Sequence, residues 1–166
     1  MKKSKVMLFG AMALTAGLAL AACGSSQSNN ADKTYSYIFV NNPDTLDYIT
    51  STRDSTSSIT TNLIDGLLEN DQYGNLIPSM AESWTVSKDG LTYTYKIRQG
   101  AKWYTSEGEE YADVTAHDFV TGLKYAADKK AENLYLVQDS IKGLADYVEG
   151  KSSDFGTVGV KAVDDY

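Results

Sequence analysis

The chain has 166 residues, with 15 lysines and arginines, 22 aspartates and glutamates and a formal net charge of −7. This acidic balance disfavours nucleic acid as a partner, because binding it requires Lys and Arg to neutralise phosphates. The one cysteine, Cys23, excludes an internal disulfide. We expect one modest domain after an N-terminal signal, and no nucleic-acid partner.

The N-terminus has the pattern of an export signal. Three lysines among the first five residues precede an uncharged stretch over residues 6–22. A basic start and a short apolar run are typical of a secretory signal, and the run is at the lower limit for crossing a bilayer. We predict that residues 1–22 are a signal peptide, that 23–33 are a flexible Ser- and Asn-rich tether, and that 34–166 are the folded domain.

The end of this signal, Leu20-Ala21-Ala22-Cys23, resembles the lipobox of bacterial lipoproteins. In that class the signal is cut before the cysteine, whose thiol carries a diacylglyceryl group with acyl chains such as palmitate. The resemblance implies that Cys23 is a lipid anchor at the extracellular face of the cell membrane. The alternative is an ordinary signal peptide that happens to contain a cysteine. Residues 23–166 carry a formal net charge of −10, which disfavours attachment through anionic headgroups.

The first half of the folded part predicts a strand, a helix and a turn. Residues 35–40 are rich in aromatic and branched side chains and predict a buried strand. Asn41-Asn42-Pro43-Asp44 breaks this pattern. Apolar residues at helical spacing predict a helix over 56–69, and residues 71–75 have the composition of a turn.

A β-hairpin is the clearest local prediction. Leu91, Tyr93, Tyr95 and Ile97 alternate with polar residues, which is the period of a half-buried strand. Residues 83–86 form its partner, and Asp89-Gly90 lies in the turn between them because glycine accepts positive φ.

Two helices and a strand are predicted in the second half. Thr115 and Asp118 have the spacing of a capping box, which predicts a helix start. Apolar residues recur at intervals of three and four over 134–148 and predict another amphipathic helix, which Gly143 weakens by about 1 kcal/mol relative to alanine. Val158 and Val160 predict a last strand.

The sequence contains no catalytic or phosphate-binding motif. GxSxG, HExxH, CxxC and a glycine-rich phosphate loop are all missing. The one histidine, His117, is interpreted as an exposed residue beside a helix cap. The carboxylates of Glu107, Glu109, Glu110 and Asp113 could in principle bind a metal, but a solvated loop is the favoured interpretation. We therefore expect no enzyme activity, no metal and no cofactor.

Several sequence blocks occur in a characteristic order. They are Ala81–Trp84 (AESW), Asp89–Arg98 (DGLTYTYKIR), Gly100–Trp103 (GAKW) and Val114–Val120 (VTAHDFV), with supporting blocks at 67–70, 74–81 and 159–166. This order resembles the N-terminal part of the family 5 solute-binding proteins of ABC transporters, and in particular the oligopeptide-binding lipoproteins of streptococci and related Gram-positive bacteria.

The resemblance implies an α/β fold, in which this chain supplies an incomplete first part of lobe one of a two-lobed, class II periplasmic-binding-protein-like fold. It also implies a function: a lipid-anchored extracellular protein that captures oligopeptides and delivers them to the permease subunits of an ABC importer. Two regions should then face the peptide. They are the loop residues Asn41, Asn42 and Asp44, and the residues Asn133, Leu134 and Tyr135 at the start of the later helix.

Alternatives remain open at this point. Family members are several times longer than this chain, so a truncated remnant that binds nothing and has no transport role is the main alternative. A second alternative is that residues 6–22 are released as a signalling peptide. For Trp84 and Trp103 we favour packing in a core over contact with a ligand.

Overall fold

The computed structural model describes residues 37–38 and 41–166. Tyr37 and Ile38 belong to an N-terminal unit, Met1–Ile38, and lie in neither helix nor strand. The rest of the predicted strand over 35–40 lies outside the described residues, as do the predicted signal peptide, Cys23 and the tether. The elements described next all belong to the second unit, Phe39–Tyr166.

Three antiparallel hairpins contain the strands of the described residues. They are β1 (Leu68–Asn70) with β2 (Leu76–Pro78), β3 (Ala81–Val86) with β4 (Tyr93–Ile97), and β5 (Lys102–Tyr104) with β6 (Glu110–Asp113). Each pair is its own two-stranded sheet. The short strands mean that packing against helices has to supply much of the stability.

The β3–β4 hairpin confirms the prediction from alternating side chains. Trp84 pairs with Tyr95, and Gly90 in the turn has a φ of +74°. The alternating apolar face is buried only at its inner end, where Ala81 and Ile97 lie. The prediction of core packing was wrong for Trp84, whose side chain is exposed because β3 leaves the core after Ala81.

The helix predicted over 56–69 was wrong in its second half. The helix α1 spans Asp54–Thr60, and the chain then enters β1. The carbonyls of Gly66 and Leu67 accept hydrogen bonds from the N–H groups of Met80 and Ala81. These long-range bonds replace the i to i+4 bonds that a longer helix would need, so Leu68 begins β1 and Leu67 directly precedes it.

The turns between strands depend on side-chain hydrogen bonds. Asp71 Oδ1 accepts hydrogen bonds from the N–H groups of Tyr73 (2.8 Å) and Asn75 (2.9 Å), which confirms the turn predicted over 71–75. The β5–β6 hairpin was not predicted, because its strands have three and four residues and show no alternation.

The long helix α2 (Ala116–Lys129) begins at the predicted capping box. The Thr115 N–H donates to Asp118 Oδ2 over 2.7 Å, and the Thr115 hydroxyl donates to the same oxygen over 3.3 Å. Lys130 ends the helix in the left-handed conformation, with a φ of 51°.

The continuous helix predicted over 134–148 was wrong. The segment contains a 3₁₀ helix at Glu132–Leu136 and a short helix α3 at Leu144–Val148. Gly143 separates them with a φ of +75°, and a Cβ there would lie 2.9 Å from the carbonyl oxygen of Thr157. Glycine at this position allows both the left-handed conformation just before α3 and the close approach of the Thr157 backbone.

The last predicted strand was also wrong. A 3₁₀ helix spans Phe155–Thr157, and Val158 and Val160 follow it without strand pairing. The Gly159 N–H donates to the Lys142 carbonyl over 2.7 Å, so the segment is bound to the turn before α3.

The main hydrophobic cluster lies where α2, the first 3₁₀ helix, α3 and the segment at Val158 meet. Its buried members are Ala126, Ala127, Ala131, Leu134, Leu144 and Val158. Across residues 37–38 and 41–166, none of the helices has the length and hydrophobicity required to span a membrane.

Candidate functional site

A polar groove of about 450 Å³ lies between the segment before α1 and the first 3₁₀ helix. We call residues 44–53 the groove loop. The groove is lined by Thr45, Thr50, Ser51, Thr52, Arg53 and Glu132. Its walls therefore offer hydroxyls, one guanidinium and one carboxylate, which can donate and accept hydrogen bonds from a polar ligand.

Asp47 organises the groove loop from within. Its Oδ1 accepts hydrogen bonds from the N–H groups of Ile49 (3.2 Å) and Thr50 (3.3 Å), and its Oδ2 accepts one from Thr50 Oγ1 over 2.7 Å. The Asp47 N–H donates to Thr45 Oγ1 over 3.0 Å. An aspartate that bonds the backbone two and three residues on is the usual way to stabilise a loop without a strand partner.

The same carboxylate reaches α2. Tyr125 Oη donates a hydrogen bond to Asp47 Oδ2 over 2.9 Å. The Thr50 hydroxyl, and with it Tyr125, holds the pKa of Asp47 below its ordinary value against the opposing effect of burial. The bond to Asp47 raises the pKa of Tyr125, and burial raises it further. Asp47 is therefore a carboxylate in this arrangement, and Tyr125 keeps its proton.

A buried threonine joins the groove loop to α1. Thr56 Oγ1 donates to the carbonyl of Thr45 over 2.9 Å, and Ser51 Oγ lies 3.1 Å from the same hydroxyl in a hydrogen bond. Thr56 is buried, and both hydrogen bonds satisfy its hydroxyl. The loop is thus held at both ends.

A further hydrogen bond connects the two walls of the groove. Thr52 Oγ1 donates to Glu132 Oε2 over 2.9 Å and links the groove loop to the first 3₁₀ helix. Nearby, Arg53 Nε lies 3.2 Å from Asp44 Oδ2, with both side chains largely exposed. An ion pair in solvent contributes little stability, so this pair can exchange its partners at low cost.

The residues predicted to face the peptide differ in exposure, and two of them, Asp44 and Asn133, are next to groove residues in space or in sequence. Asn41 and Asn42 are exposed, and Asp44 is bound to the groove residue Arg53. Asn133 is half-buried and directly follows the groove residue Glu132.

The other two predicted residues differ sharply from each other. Leu134 is 4% exposed and belongs to the hydrophobic cluster, whereas Tyr135 is 70% exposed. Packing accounts for the burial of Leu134. Contact of any of these six residues with a ligand remains a prediction.

The groove residues themselves were not singled out from the sequence. Four of the six are serines or threonines in a run after Pro43, which is the composition of an ordinary loop. Asp47 was missed for the same reason. The one available signal was the position of this run, between the predicted loop contacts and the first predicted helix.

The remaining candidates from the sequence, His117 and the acidic residues at 107–113, are in exposed positions. His117 Nε2 lies 3.4 Å from Asp165 Oδ1 and is exposed at the start of α2. Glu107, Glu109 and Glu110 are exposed on the β5–β6 hairpin. Among the described residues, no group of three or more His, Cys, Asp or Glu side chains is placed to hold a metal ion.

Comparison with known proteins defines the class. The family model of the bacterial extracellular solute-binding proteins, family 5, matches residues 75–166, and the chain belongs to this family. It is 64% identical over 163 residues to the oligopeptide-binding protein AliB of Streptococcus pneumoniae. It is 62% identical over 173 residues to the oligopeptide-binding protein SarA of Streptococcus gordonii.

These alignments cover 98% and 100% of this chain but 25% and 26% of the two relatives. The chain thus spans about a quarter of the length of the curated relatives that it matches. It is also similar to Haemophilus influenzae OppA in complex with RPPGFSPFR, with a TM-score of 0.62 and 33% identity. That alignment covers 75% of this chain and 24% of OppA. The predicted fold, an incomplete part of an α/β peptide-binding-protein fold, is confirmed.

Proposed function

We propose that this chain is the N-terminal part of the substrate-binding component of an oligopeptide ABC importer, which captures peptides and delivers them to the permease. The observation that carries the proposal is the identity of 61–64% to streptococcal proteins named for oligopeptide binding, over nearly the whole chain. The OppA structure of similar fold is likewise a complex with a peptide, RPPGFSPFR.

The groove supports this function in physical terms. A peptide in extended form presents backbone N–H and C=O groups, which the hydroxyls of Thr45 and Ser51 can bind without regard to its side chains. Glu132 adds a negative charge, and Arg53 adds a positive one. Such walls suit peptides of varied sequence better than an apolar ligand. The proposed function is therefore binding, in keeping with the solute-binding family to which the chain belongs.

The location is part of the same proposal. Lipid on Cys23 would anchor the protein at the extracellular face of the membrane, beside the permease. The support is the lipobox sequence and the family, which consists of extracellular proteins. The acidic charge of residues 23–166 disfavours nucleic acid as a partner.

Calorimetric titration tests the proposal. The full-length protein is titrated with pools of random peptides of defined short lengths. We expect saturable binding of at least one pool and none of a mixture of free amino acids. No binding of any pool by protein with a cooperative thermal transition supports the alternative, a lipoprotein remnant with no transport role.

A further inference from the structure

Two hydrogen bonds join the groove loop to distant parts of the chain. Tyr125 Oη donates to Asp47, and Thr52 Oγ1 donates to Glu132, each over 2.9 Å. The partners are 78 and 80 residues apart in sequence. The first bond holds the middle of the loop to α2, and the second holds its end to the first 3₁₀ helix.

Other restraints on the groove loop come from Thr56, which is hydrogen-bonded to Thr45 and Ser51, and from Ile49, which packs against the hydrophobic cluster. The groove loop contains one helical-type turn at its centre and no strand, and most of its residues are exposed. A mostly exposed segment without strand pairing opens easily where long-range bonds do not hold it. Asp47 connects the bond from Tyr125 to the conformation of the loop. Its carboxylate accepts from Tyr125 and also from the N–H groups of Ile49 and Thr50.

We propose that Tyr125 and Glu132 are positioning residues for peptide binding, which hold the groove loop in its binding conformation before the peptide arrives. The inference rests on the proposed function and assigns these two residues a part in it. Neither residue has to touch the peptide. Their effect on affinity comes from avoiding the entropy cost of ordering the loop on binding.

Nearly isosteric variants test this inference through peptide affinity. Tyr125→Phe removes one hydroxyl, and Thr52→Val removes the donor to Glu132 with little change in shape. We expect about three- to tenfold weaker peptide binding for each variant, and a larger loss when both are combined. The melting temperature is measured for every variant, and affinities are compared well below it.

Two controls separate positioning from general stability. Thr52→Ser keeps the hydroxyl and should restore the affinity that Thr52→Val loses. Tyr111→Phe makes the same chemical change as Tyr125→Phe at an exposed tyrosine of β6 and should leave affinity unchanged.

The outcomes distinguish the two proposals. Wild-type protein that binds peptide, with Tyr125→Phe and Thr52→Val binding equally well, overturns this inference and leaves the proposed function standing. Wild-type protein that binds no peptide overturns the proposed function and this inference with it. Loss of affinity in Thr52→Ser as large as in Thr52→Val also contradicts a role for the hydroxyl.

Discussion

The hydroxyl of Tyr125 donates a hydrogen bond to the carboxylate of Asp47 over 2.9 Å, across 78 positions of the sequence. Tyr125 projects from the longest helix of the described residues, and Asp47 organises the loop that forms one wall of the polar groove. The contact therefore connects the conformation of the groove to the helical part of the fold.

The bonds to Asp47 predict a specific pH dependence. Its pKa in the folded state is lowered from the ordinary value of 3.8. A lowered folded-state pKa means that the carboxylate stabilises the fold fully above pH 3.8, and that this stabilisation is lost as the pH falls through the folded value. We expect Asp47→Asn to cost about 1 kcal/mol near neutral pH and much less in acid. Chemical denaturation of both proteins over a pH series measures the difference.

Asp139→Asn is the matched control, because Asp139 is an exposed aspartate outside the groove. A difference between wild type and Asp47→Asn that stays constant down to the most acidic pH would contradict the assignment of Asp47 as a hydrogen-bonded carboxylate.

Leu134→Ala tests whether this residue belongs to the core. Leu134 is 4% exposed in the hydrophobic cluster, so the substitution should lower the free energy of unfolding by about 2–5 kcal/mol. Leu136→Ala, two residues on at an exposed position, should change it by less than about 0.5 kcal/mol. Denaturant unfolding compares the two variants. Similar small effects in both would place Leu134 outside the core and favour a role in the groove.

Substitution of Gly143 should cost stability for two reasons, a steric clash and an unfavourable backbone conformation. Gly143→Ala places a Cβ 2.9 Å from the Thr157 carbonyl oxygen at a φ of +75°. Gly150→Ala imposes a similar φ of +79° with no atom within 4 Å of the new Cβ. We expect about 1 kcal/mol of destabilisation at position 150 and clearly more at position 143. Equal effects on the melting temperature would show that the backbone contact at Thr157 is unimportant.

Cys23 predicts a change in membrane association. Wild-type protein expressed in a Gram-positive host should incorporate labelled palmitate and partition into detergent, because acyl chains supply the membrane affinity. Cys23→Ser should incorporate none and be released. Equal labelling of both proteins would identify a different lipid attachment and contradict the lipobox interpretation.

The sequence predicted those elements whose signals are local. The β3–β4 hairpin follows from alternation and Asp89-Gly90, and the start of α2 follows from the spacing of Thr115 and Asp118. Neither depends on a distant residue. Elements that long-range contacts decide were predicted wrongly. The carbonyls of Gly66 and Leu67 accept hydrogen bonds from Met80 and Ala81 at the start of β3, and the Thr157 backbone approaches Gly143.

The residues of the candidate site also differ in whether the sequence could predict them. Family resemblance predicted two regions that contact peptide; Asp44 and Asn133 of these regions are adjacent to groove residues, and their contact with peptide stays a prediction. The residues that line and brace it were not predictable, because the hydrogen bonds of Thr52 to Glu132 and of Tyr125 to Asp47 exist only once segments about 80 residues apart are packed together.

Amide hydrogen exchange with and without a saturating peptide pool tests most directly whether this groove binds peptide. We predict slower exchange across the groove loop and residues 132–135 when peptide is bound, with little change in the β1–β2 hairpin as an internal reference. Unchanged exchange in both groove segments, under conditions where calorimetry shows that peptide is bound, would contradict the assignment of the groove as a peptide site.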